Sequence, residues 1–227
     1  MAPLWRPSPN FGPRRNGARP DLIVLHYTAM PLAGALDRLC DPAAEVSAHY
    51  LIARDGQVYH LVDEDARAWH AGAGCWGAVG DVNSRSIGIE LDNRGDEPFA
   101  APLMAALEAL LGGVMARWAM PPERVIGHSD MAPGRKGDPG RRFDWRRLAR
   151  SGLSVWPGPG SAAPDPAAFR AAALRFGYGA EWGMDAVLDA FRQRFRPWAT
   201  GPLSAGDMGA MLDLARRFPV DLGGAAF

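Results

Sequence analysis

The chain has 227 residues, of which 48% are hydrophobic, and its 25 basic residues balance 25 acidic ones, so the formal net charge is zero. This composition supports a folded core and excludes disorder of the whole chain. Proteins that bind nucleic acid usually carry a basic excess, so the neutral charge argues against a nucleic-acid partner. No apolar run reaches the roughly 18 residues that a membrane span requires.

Residues 1–20 are rich in Pro, Arg, Gly and Asn, and they predict an irregular N-terminal arm. Prolines interrupt this segment, which contains no continuous apolar stretch of the kind found in secretion signals. We therefore expect a cytoplasmic protein, with the periplasm as the alternative because a trimmed chain would look the same.

Strand and helix patterns alternate after the arm. The apolar run Leu22–His26 predicts a buried strand that ends in a histidine, and residues 31–40 have the apolar spacing of a helix. Asp55-Gly56 separates two apolar runs within residues 48–61, which is a strong signal for a β-hairpin.

The alternation continues towards the middle of the chain. Residues 86–91 predict a strand, 102–118 an amphipathic helix and 124–128 a short strand. Asp144 can cap a further helix that runs to residue 150. Strands that alternate with helices indicate the α/β class.

A change of composition divides the chain into two predicted domains. Residues 158–166 are rich in Pro, Gly and Ser and predict a linker between a first domain, 1–157, and a second domain, 167–227. Three helical patterns in the second domain indicate a small three-helix bundle. The patterns cover residues 167–176, 184–195 and 204–218.

Three residues form a candidate metal site. His26 and His128 lie at the ends of predicted strands, and Asp138 follows on a Gly- and Pro-rich loop. Two imidazoles and one carboxylate are a common catalytic zinc set that leaves a fourth position for water. A single histidine is more often a packed or surface residue, and 102 positions separate these two, so spacing alone does not identify them as ligands. A structural zinc site is disfavoured, because such sites fill all four positions.

Glu90 is the one charged residue in the predicted strand 86–91. Strand alternation places it on the face of Gly88, opposite Ile89 and Leu91. A face lined by glycine and glutamate leaves room for a ligand, although an outward, solvated Glu90 is the alternative. Near a metal, a partly buried Glu90 could accept the proton of an attacking water.

Lys136 is the only lysine, so the other 24 of the 25 basic residues are arginine. Lysine presents a compact point charge, whereas arginine is a wide planar fork. A site that needs a compact positive charge beside an oxyanion would therefore favour lysine, and chance survival of one lysine is the alternative. The position of Lys136, two residues before Asp138, favours the functional interpretation.

Seven short motifs follow one another between His26 and Gly140. They are His26-Tyr27-Thr28, Val46-Ser47-Ala48-His49, Arg54-Asp55-Gly56, Ala68-Trp69-His70-Ala71-Gly72, Ser86-Ile87-Gly88-Ile89-Glu90, Gly127-His128-Ser129-Asp130 and Ala132-Pro133-Gly134-Arg135-Lys136-Gly137-Asp138-Pro139-Gly140. Together they closely resemble the type 2 N-acetylmuramoyl-L-alanine amidases, bacterial enzymes of cell-wall turnover and recycling that share their fold with peptidoglycan recognition proteins. The resemblance covers about residues 8–157.

The resemblance implies a central mixed sheet flanked by helices, and one Zn²⁺ per chain held by His26, His128 and Asp138. It implies Glu90 as the general base and Lys136 as the residue that stabilises the tetrahedral intermediate. The implied reaction hydrolyses the amide bond between N-acetylmuramic acid and L-alanine of the stem peptide, in muropeptides or peptidoglycan. A non-catalytic peptidoglycan-binding protein is the alternative, but such relatives usually replace one ligand.

Four further residues are predicted to bind substrate, namely Tyr27, Trp69, His70 and Arg135. Trp69 and His70 could line a sugar or peptide groove, and simple packing is the alternative for both. Arg135 could bind a stem-peptide carboxylate or lie on the surface. We expect His49 to be a structural hydrogen-bonding residue near the site.

The second domain resembles, more loosely, the peptidoglycan-binding module found behind some of these amidases. The resemblance rests on Leu174–Tyr178, on the segment from Ala186 to Arg192, on Phe195–Pro197 and on the later Gly201, Asp207 and Leu212. Arg192 departs from the pattern, because these modules usually have glutamine at that position. A bundle that packs on the amidase for stability is the alternative. The sequence leaves the oligomeric state open.

Overall fold

The computed structural model describes residues 3–220, so the predictions for residues 1–2 and 221–227 lie outside the described residues. Within that range the strands form one large sheet and one small one. The strands are β1 (Leu4–Trp5), β2 (Phe11–Pro13), β3 (Leu22–Tyr27), β4 (Tyr50–Ile52), β5 (Val58–His60), β6 (Ala66–Ala68), β7 (Ser86–Leu91) and β8 (Val125–Gly127).

The helices lie on both faces of the large sheet. They are α1 (Leu32–Cys40), α2 (Val82–Arg85), α3 (Ala101–Trp118), α4 (His128–Met131), α5 (Trp145–Arg150), α6 (Pro166–Phe176), α7 (Met184–Phe195) and α8 (Ala205–Arg217). None of the helices in the described range is long and apolar enough to cross a membrane.

The large sheet has the strand order β1-β5-β4-β7-β3-β8. Strand β3 pairs in parallel with both β7 and β8, and β4 pairs in parallel with β7 but antiparallel with β5. The sheet is therefore mixed, and it contains four adjacent parallel strands, β4, β7, β3 and β8. This arrangement confirms the predicted α/β fold with a central mixed sheet flanked by helices.

Strand β3 is apolar on both of its faces because helices cover both. Its residues Ile23 and Leu25 pack in a cluster with Leu107 and Leu111 of α3. The opposite face joins a second cluster, in which Leu22, Val24 and Ile126 pack with aromatic residues of the C-terminal helices. A continuous apolar run, rather than strict alternation, is expected of a parallel strand buried on both sides.

The register of the central strands determines where the polar side chains meet. His26 of β3 is paired with Glu90 of β7, and Leu25 of β3 is paired with Gly127, the last residue of β8. His128 follows immediately as the first residue of α4. The carboxyl ends of three adjacent parallel strands thus place His26, Glu90 and His128 at one edge, where α/β sheets commonly bind ligands.

The prediction of a wholly irregular arm over residues 1–20 is wrong in part. Strand β1 pairs with Tyr59 and His60 of β5, and β2 pairs antiparallel with β6. The buried Asn10 ties the arm down further, because its amide donates to the carbonyls of Asp41 and Val46, each over 2.8 Å. Neither backbone pairing nor an isolated polar contact produces a recognisable pattern in a Pro- and Arg-rich sequence.

The segment 158–166, expected to be a linker, lies along α8. The Gly158 N–H donates to the Asp213 carboxylate over 2.7 Å, and the Ala162 N–H donates to the Ala205 carbonyl over 3.1 Å. The three C-terminal helices continue the apolar core of the sheet, since Phe169 and Phe191 share one cluster with Val24. The two predicted domains therefore share a core.

A buried ion pair joins the C-terminal helices to the sheet region. Arg194 of α7 donates to Asp130 of α4 over 2.7 Å, and both side chains are at most 1% exposed. The Tyr178 hydroxyl donates to the other Asp130 oxygen over 2.9 Å, and the Gly127 N–H also donates to Asp130 over 2.8 Å. Asp130 follows His128 by two residues, so these contacts hold the segment that carries a candidate metal ligand.

A second buried carboxylate, that of Asp207, should make the fold less stable in acid. Burial alone would raise the pKa of Asp207, but hydrogen bonds from Arg192, Ser204 and Arg196 outweigh it and lower that pKa to about 2. A lowered pKa stabilises the fold above the unfolded pKa of roughly 4, and the contribution disappears as pH falls through the folded value. We expect Asp207 ionisation to contribute roughly 2 kcal/mol at pH 7, lost between about pH 5 and pH 2.

Urea unfolding of the wild type and of Asp207→Asn checks this expectation. The difference in unfolding free energy between the two proteins should shrink progressively as pH is lowered from 7 to 3. A difference that stays constant over this range would contradict the role assigned to the Asp207 carboxylate.

Candidate active site

Three predicted ligands converge at the carboxyl end of the central strands. His26 Nδ1 lies 2.9 Å from His128 Nδ1 and 2.9 Å from Asp138 Oδ2, and His128 Nδ1 lies 3.0 Å from the same oxygen. Tetrahedral zinc with bonds of about 2.0–2.1 Å separates its ligand atoms by roughly 3.3 Å. A small outward movement of the side chains would therefore make room for the ion.

The outer hydrogen bond of His128 shows that its inner nitrogen carries a lone pair. Its Nε2 lies 2.9 Å from the carbonyl oxygen of Ala71, which can only accept, so Nε2 holds the proton. The Nδ1 lone pair and the Asp138 carboxylate are then two acceptors that face each other, and they repel unless a cation lies between them. The donor set thus fits a zinc ion.

The pKa values of His26 and Asp138 favour the forms that bind metal. Burial, followed by the neighbouring His128, lowers the pKa of His26 to about 4, so its ring is neutral at pH 7. Burial would raise the pKa of Asp138, but the close approach of the His128 and His26 rings outweighs it, and the pKa lies well below its usual range. Neutral imidazole and ionised carboxylate are the ligand forms of zinc sites.

Glu90 faces the same site from the neighbouring strand. Burial, reinforced by the negative charge of Asp138, raises the pKa of Glu90 well above its ordinary value. Its Oε2 is buried and has no hydrogen-bond partner among the described residues. A carboxyl group with a raised pKa and an unpaired oxygen is suited to take a proton from a reacting water and to return it later.

Gly88 does not leave the open space for a ligand that the strand pattern indicated. The ring of His70 occupies that space, and a Cβ built on Gly88 would lie 2.4 Å from His70 Cγ. Glycine at position 88 is thus needed for the close approach of an imidazole. The prediction for Gly88 is corrected, whereas Glu90, two residues further on, does line the groove.

Lys136 and Asp138 lie on one loop after α4. The Lys136 N–H donates to the Ala132 carbonyl over 3.0 Å, and the Asp138 carbonyl accepts from the Ser129 N–H over 2.9 Å. The Asp138–Pro139 peptide bond is cis. Lys136 is exposed and lines the same groove as Glu90. The loop therefore presents an ammonium group and a candidate ligand to one site.

The groove has a volume of about 410 Å³, which is within the usual range for small-ligand sites. Tyr27, Trp69, His70 and Arg135 all line it. Arg135 also stabilises the neighbouring segment around Ala71–Ala73, because its guanidinium donates to the carbonyl of Ala71 over 2.9 Å and to that of Ala73. Both ring nitrogens of His70 are in contact with other side chains, His26 and Ser86.

His49 lies behind the groove as a hydrogen-bonding residue, as expected. Its Nδ1 accepts from the Gly88 N–H over 2.9 Å, and its Nε2 lies 3.2 Å from the Ala66 carbonyl. Sequence reasoning did not identify Ser86 or Asp130 as parts of the site. The available signal was their position, since both are polar residues of the quoted motifs: Ser86 is the first residue of the predicted strand 86–91, and Asp130 lies two residues after the predicted strand 124–128.

The fold and the site define a candidate metallohydrolase of mixed α/β architecture. Residues 16–141, more than half of the chain, match the family model described as N-acetylmuramoyl-L-alanine amidase. The chain belongs to this family, and it is accordingly an amidase. The family resemblance predicted from the seven motifs is confirmed.

Individual relatives agree with this assignment. The N-acetylmuramoyl-L-alanine amidase AmiD of Escherichia coli (strain K12) is 35% identical over 208 residues, covering 78% of this chain and 75% of AmiD. The 1,6-anhydro-N-acetylmuramyl-L-alanine amidase AmpD of Haemophilus influenzae is 34% identical over 163 residues, covering 63% of this chain and 89% of AmpD.

A solved structure matches nearly the whole chain. The E. coli AmiD complex with the substrate anhydro-N-acetylmuramic acid-L-Ala-D-gamma-Glu-L-Lys superposes with a TM-score of 0.83 at 31% identity, covering 95% of this chain and 94% of the AmiD chain. At that coverage the match includes the C-terminal helices as well as the sheet. Their arrangement is therefore similar in the two proteins.

Proposed function

We propose that this amidase uses one Zn²⁺ per chain to hydrolyse the amide bond between N-acetylmuramic acid and L-alanine of the stem peptide. The observation that carries the proposal is the convergence of His26, His128 and Asp138 beside the unpaired, buried oxygen of Glu90. A site with three ligand atoms and a proton acceptor at one groove contains the groups that hydrolysis of an amide requires.

The side chains of the site divide the work of the reaction. Zinc, when bound by His26, His128 and Asp138, would supply Lewis-acid polarisation of the scissile carbonyl and make water more acidic. Glu90 takes the proton of the attacking water and delivers it to the leaving amine of L-alanine. The Lys136 ammonium lines the same groove and stabilises the oxygen on which negative charge develops.

The relatives support an anhydro-muropeptide as the substrate. The AmiD structure contains an anhydro-N-acetylmuramic acid peptide, and AmpD is named for the 1,6-anhydro sugar. Tyr27, Trp69 and Arg135 line the groove beside the metal site, where sugar and stem peptide would lie. Polymeric peptidoglycan is the second substrate to test.

A non-catalytic binding protein would not need the arrangement of Glu90. A buried carboxyl oxygen without a partner is costly, and it is retained here at the position where a proton must move. This feature favours catalysis over simple binding. The ligand set of the described residues is complete for a catalytic zinc site with a fourth position for water.

The proposal is tested by incubating the purified protein with a defined anhydro-muropeptide and identifying the products by mass spectrometry. The expected products are the free anhydro-sugar acid and an intact stem peptide with a free L-alanine amine. Cleavage within the peptide, or binding without any cleavage in the zinc-loaded protein, would overturn the proposal.

Lys136→Arg tests whether the site needs a compact positive charge. The guanidinium keeps the charge but is wider and planar, so it cannot approach the developing oxyanion in the same way. We expect turnover to fall at least about tenfold, with zinc content unchanged because Lys136 is not a ligand. Unchanged turnover would assign Lys136 to the solvated surface, and Lys136→Met indicates how much activity depends on the charge itself.

A further inference from the structure

A chain of hydrogen bonds runs inwards from α2 to the candidate ligand His26. Ser86 Oγ lies 2.6 Å from the Val82 carbonyl and 3.1 Å from His70 Nε2. His70 Nδ1 lies 3.0 Å from His26 Nε2. Each of these three imidazole nitrogens has one partner in the chain, so its role as hydrogen-bond donor or acceptor can be deduced.

The polarity of the chain follows from its outer end. A carbonyl oxygen can only accept, so the single hydroxyl proton of Ser86 is donated to Val82. Ser86 Oγ must then accept from His70, which places the His70 proton on Nε2. A neutral imidazole carries one N–H, so His70 Nδ1 is an acceptor and His26 Nε2 is the donor that faces it.

We propose that Ser86 and His70 act as positioning residues that hold His26 as its Nε2–H tautomer and present its Nδ1 lone pair to the zinc ion. The inference rests on the proposed zinc site, but the tautomer itself belongs to the metal-free protein. His128 is set in the same form by the Ala71 carbonyl. Both imidazoles thus point Nδ1 inwards, each fixed by a different outer partner.

The hydrogen bonds determine which nitrogen of His70 carries the proton, and packing determines where its ring lies. Its ring lies over Gly88, in the neighbouring strand β7, so closely that a Cβ at that position would lie 2.4 Å from His70 Cγ. The ring also meets His26 edge to face, with centroids 5.1 Å apart. Both ring nitrogens of His70 are engaged, by His26 and Ser86. Although its ring lines the groove, we therefore assign His70 to positioning the metal ligand His26 and not to binding substrate.

Variants at position 70 distinguish the effect of the hydrogen-bond acceptor on His26 from the effect of side-chain volume. His70→Asn keeps a hydrogen-bond acceptor, because the Asn Oδ1 is bonded to Cγ just as Nδ1 is in histidine. His70→Leu fills the space but has no acceptor. We expect His70→Leu to weaken zinc binding by about 10- to 100-fold, measured by competition with a chromophoric chelator. His70→Asn should stay much closer to the wild type.

Gly88→Ala provides a variant that leaves the imidazole intact but displaces it. It should weaken zinc binding in the same sense as His70→Leu. Gly80→Ala is the matched control, because a Cβ at Gly80 meets no atom within 4 Å. Equal zinc affinity in the wild type, His70→Leu and Gly88→Ala would overturn the proposal.

The tautomer can be read directly in metal-free wild-type protein, even if a variant fails to fold. The sequence has only five histidines, so ¹⁵N-labelled imidazole resonances can be assigned and their proton-bearing nitrogen identified. The expected result is protonation of His26 on Nε2 and of His70 on Nε2. A proton on His26 Nδ1 and none on its Nε2 would overturn the proposal, whereas failure of the wild type to bind zinc would overturn the proposed function instead.

Discussion

Glu90→Gln should reduce turnover of an anhydro-muropeptide by roughly 10²- to 10⁴-fold while zinc stays bound. The amide keeps the size of the side chain but cannot take the proton of the attacking water. Glu90 is not one of the three converging ligands, so the metal content should match that of the wild type. Steady-state kinetics and metal analysis on the same preparation measure both quantities.

The stability of Glu90→Gln gives an independent check. Burial raises the pKa of Glu90, and its Oε2 has no partner among the described residues, so a neutral amide should not destabilise the metal-free fold. Glu108→Gln is the matched control, since Glu108 of α3 pairs with Arg147 of α5 and does not line the groove. Near wild-type turnover in Glu90→Gln would remove Glu90 from the mechanism.

A chain truncated after Pro157 should lose both its cooperative unfolding transition and its activity on small muropeptides. Truncation exposes Trp76, which is fully buried against Phe176 and Tyr178. It also removes Arg194, the buried partner of Asp130. Both effects reach the segment that carries His128, and they support a structural role for the C-terminal helices.

The truncation also distinguishes the two roles considered for these helices. Loss of sacculus binding with small-muropeptide turnover preserved would show a separate wall-binding module and contradict the structural role. Arg194→Met is the matched point variant, and we expect it to lower the free energy of unfolding by about 3–5 kcal/mol, because it leaves a buried charge unpaired. Adding Asp130→Asn should recover much of that loss, as measured by urea unfolding.

Local sequence patterns located most of the central elements. The apolar runs of β3 and β7 and the long helical stripe of α3 are predictable, because burial on one or both faces selects hydrophobic residues at fixed spacing. The arm strands β1 and β2 were not predicted. Their order comes from backbone pairing with β5 and β6, which the side chains of a Pro- and Arg-rich segment do not encode.

The candidate site needed more than spacing to be recognised. His26 and Glu90 are neighbours only because β3 and β7 pair in one particular register, and no local pattern specifies that register. The family motifs supplied the assignment instead. The contact between His70 and Gly88 could not be predicted from the sequence either, because a glycine in a strand indicates that another group approaches closely but does not identify that group.

We propose that this amidase acts through a single zinc ion at His26, His128 and Asp138. The most direct test is to remove metal with a chelator, titrate Zn²⁺ back, and follow anhydro-muropeptide hydrolysis and bound zinc together. We expect the metal-free protein to be folded and inactive, and activity to rise in proportion to zinc up to one equivalent per chain. Full activity without metal, or reactivation unaffected by Asp138→Asn, would contradict the claim.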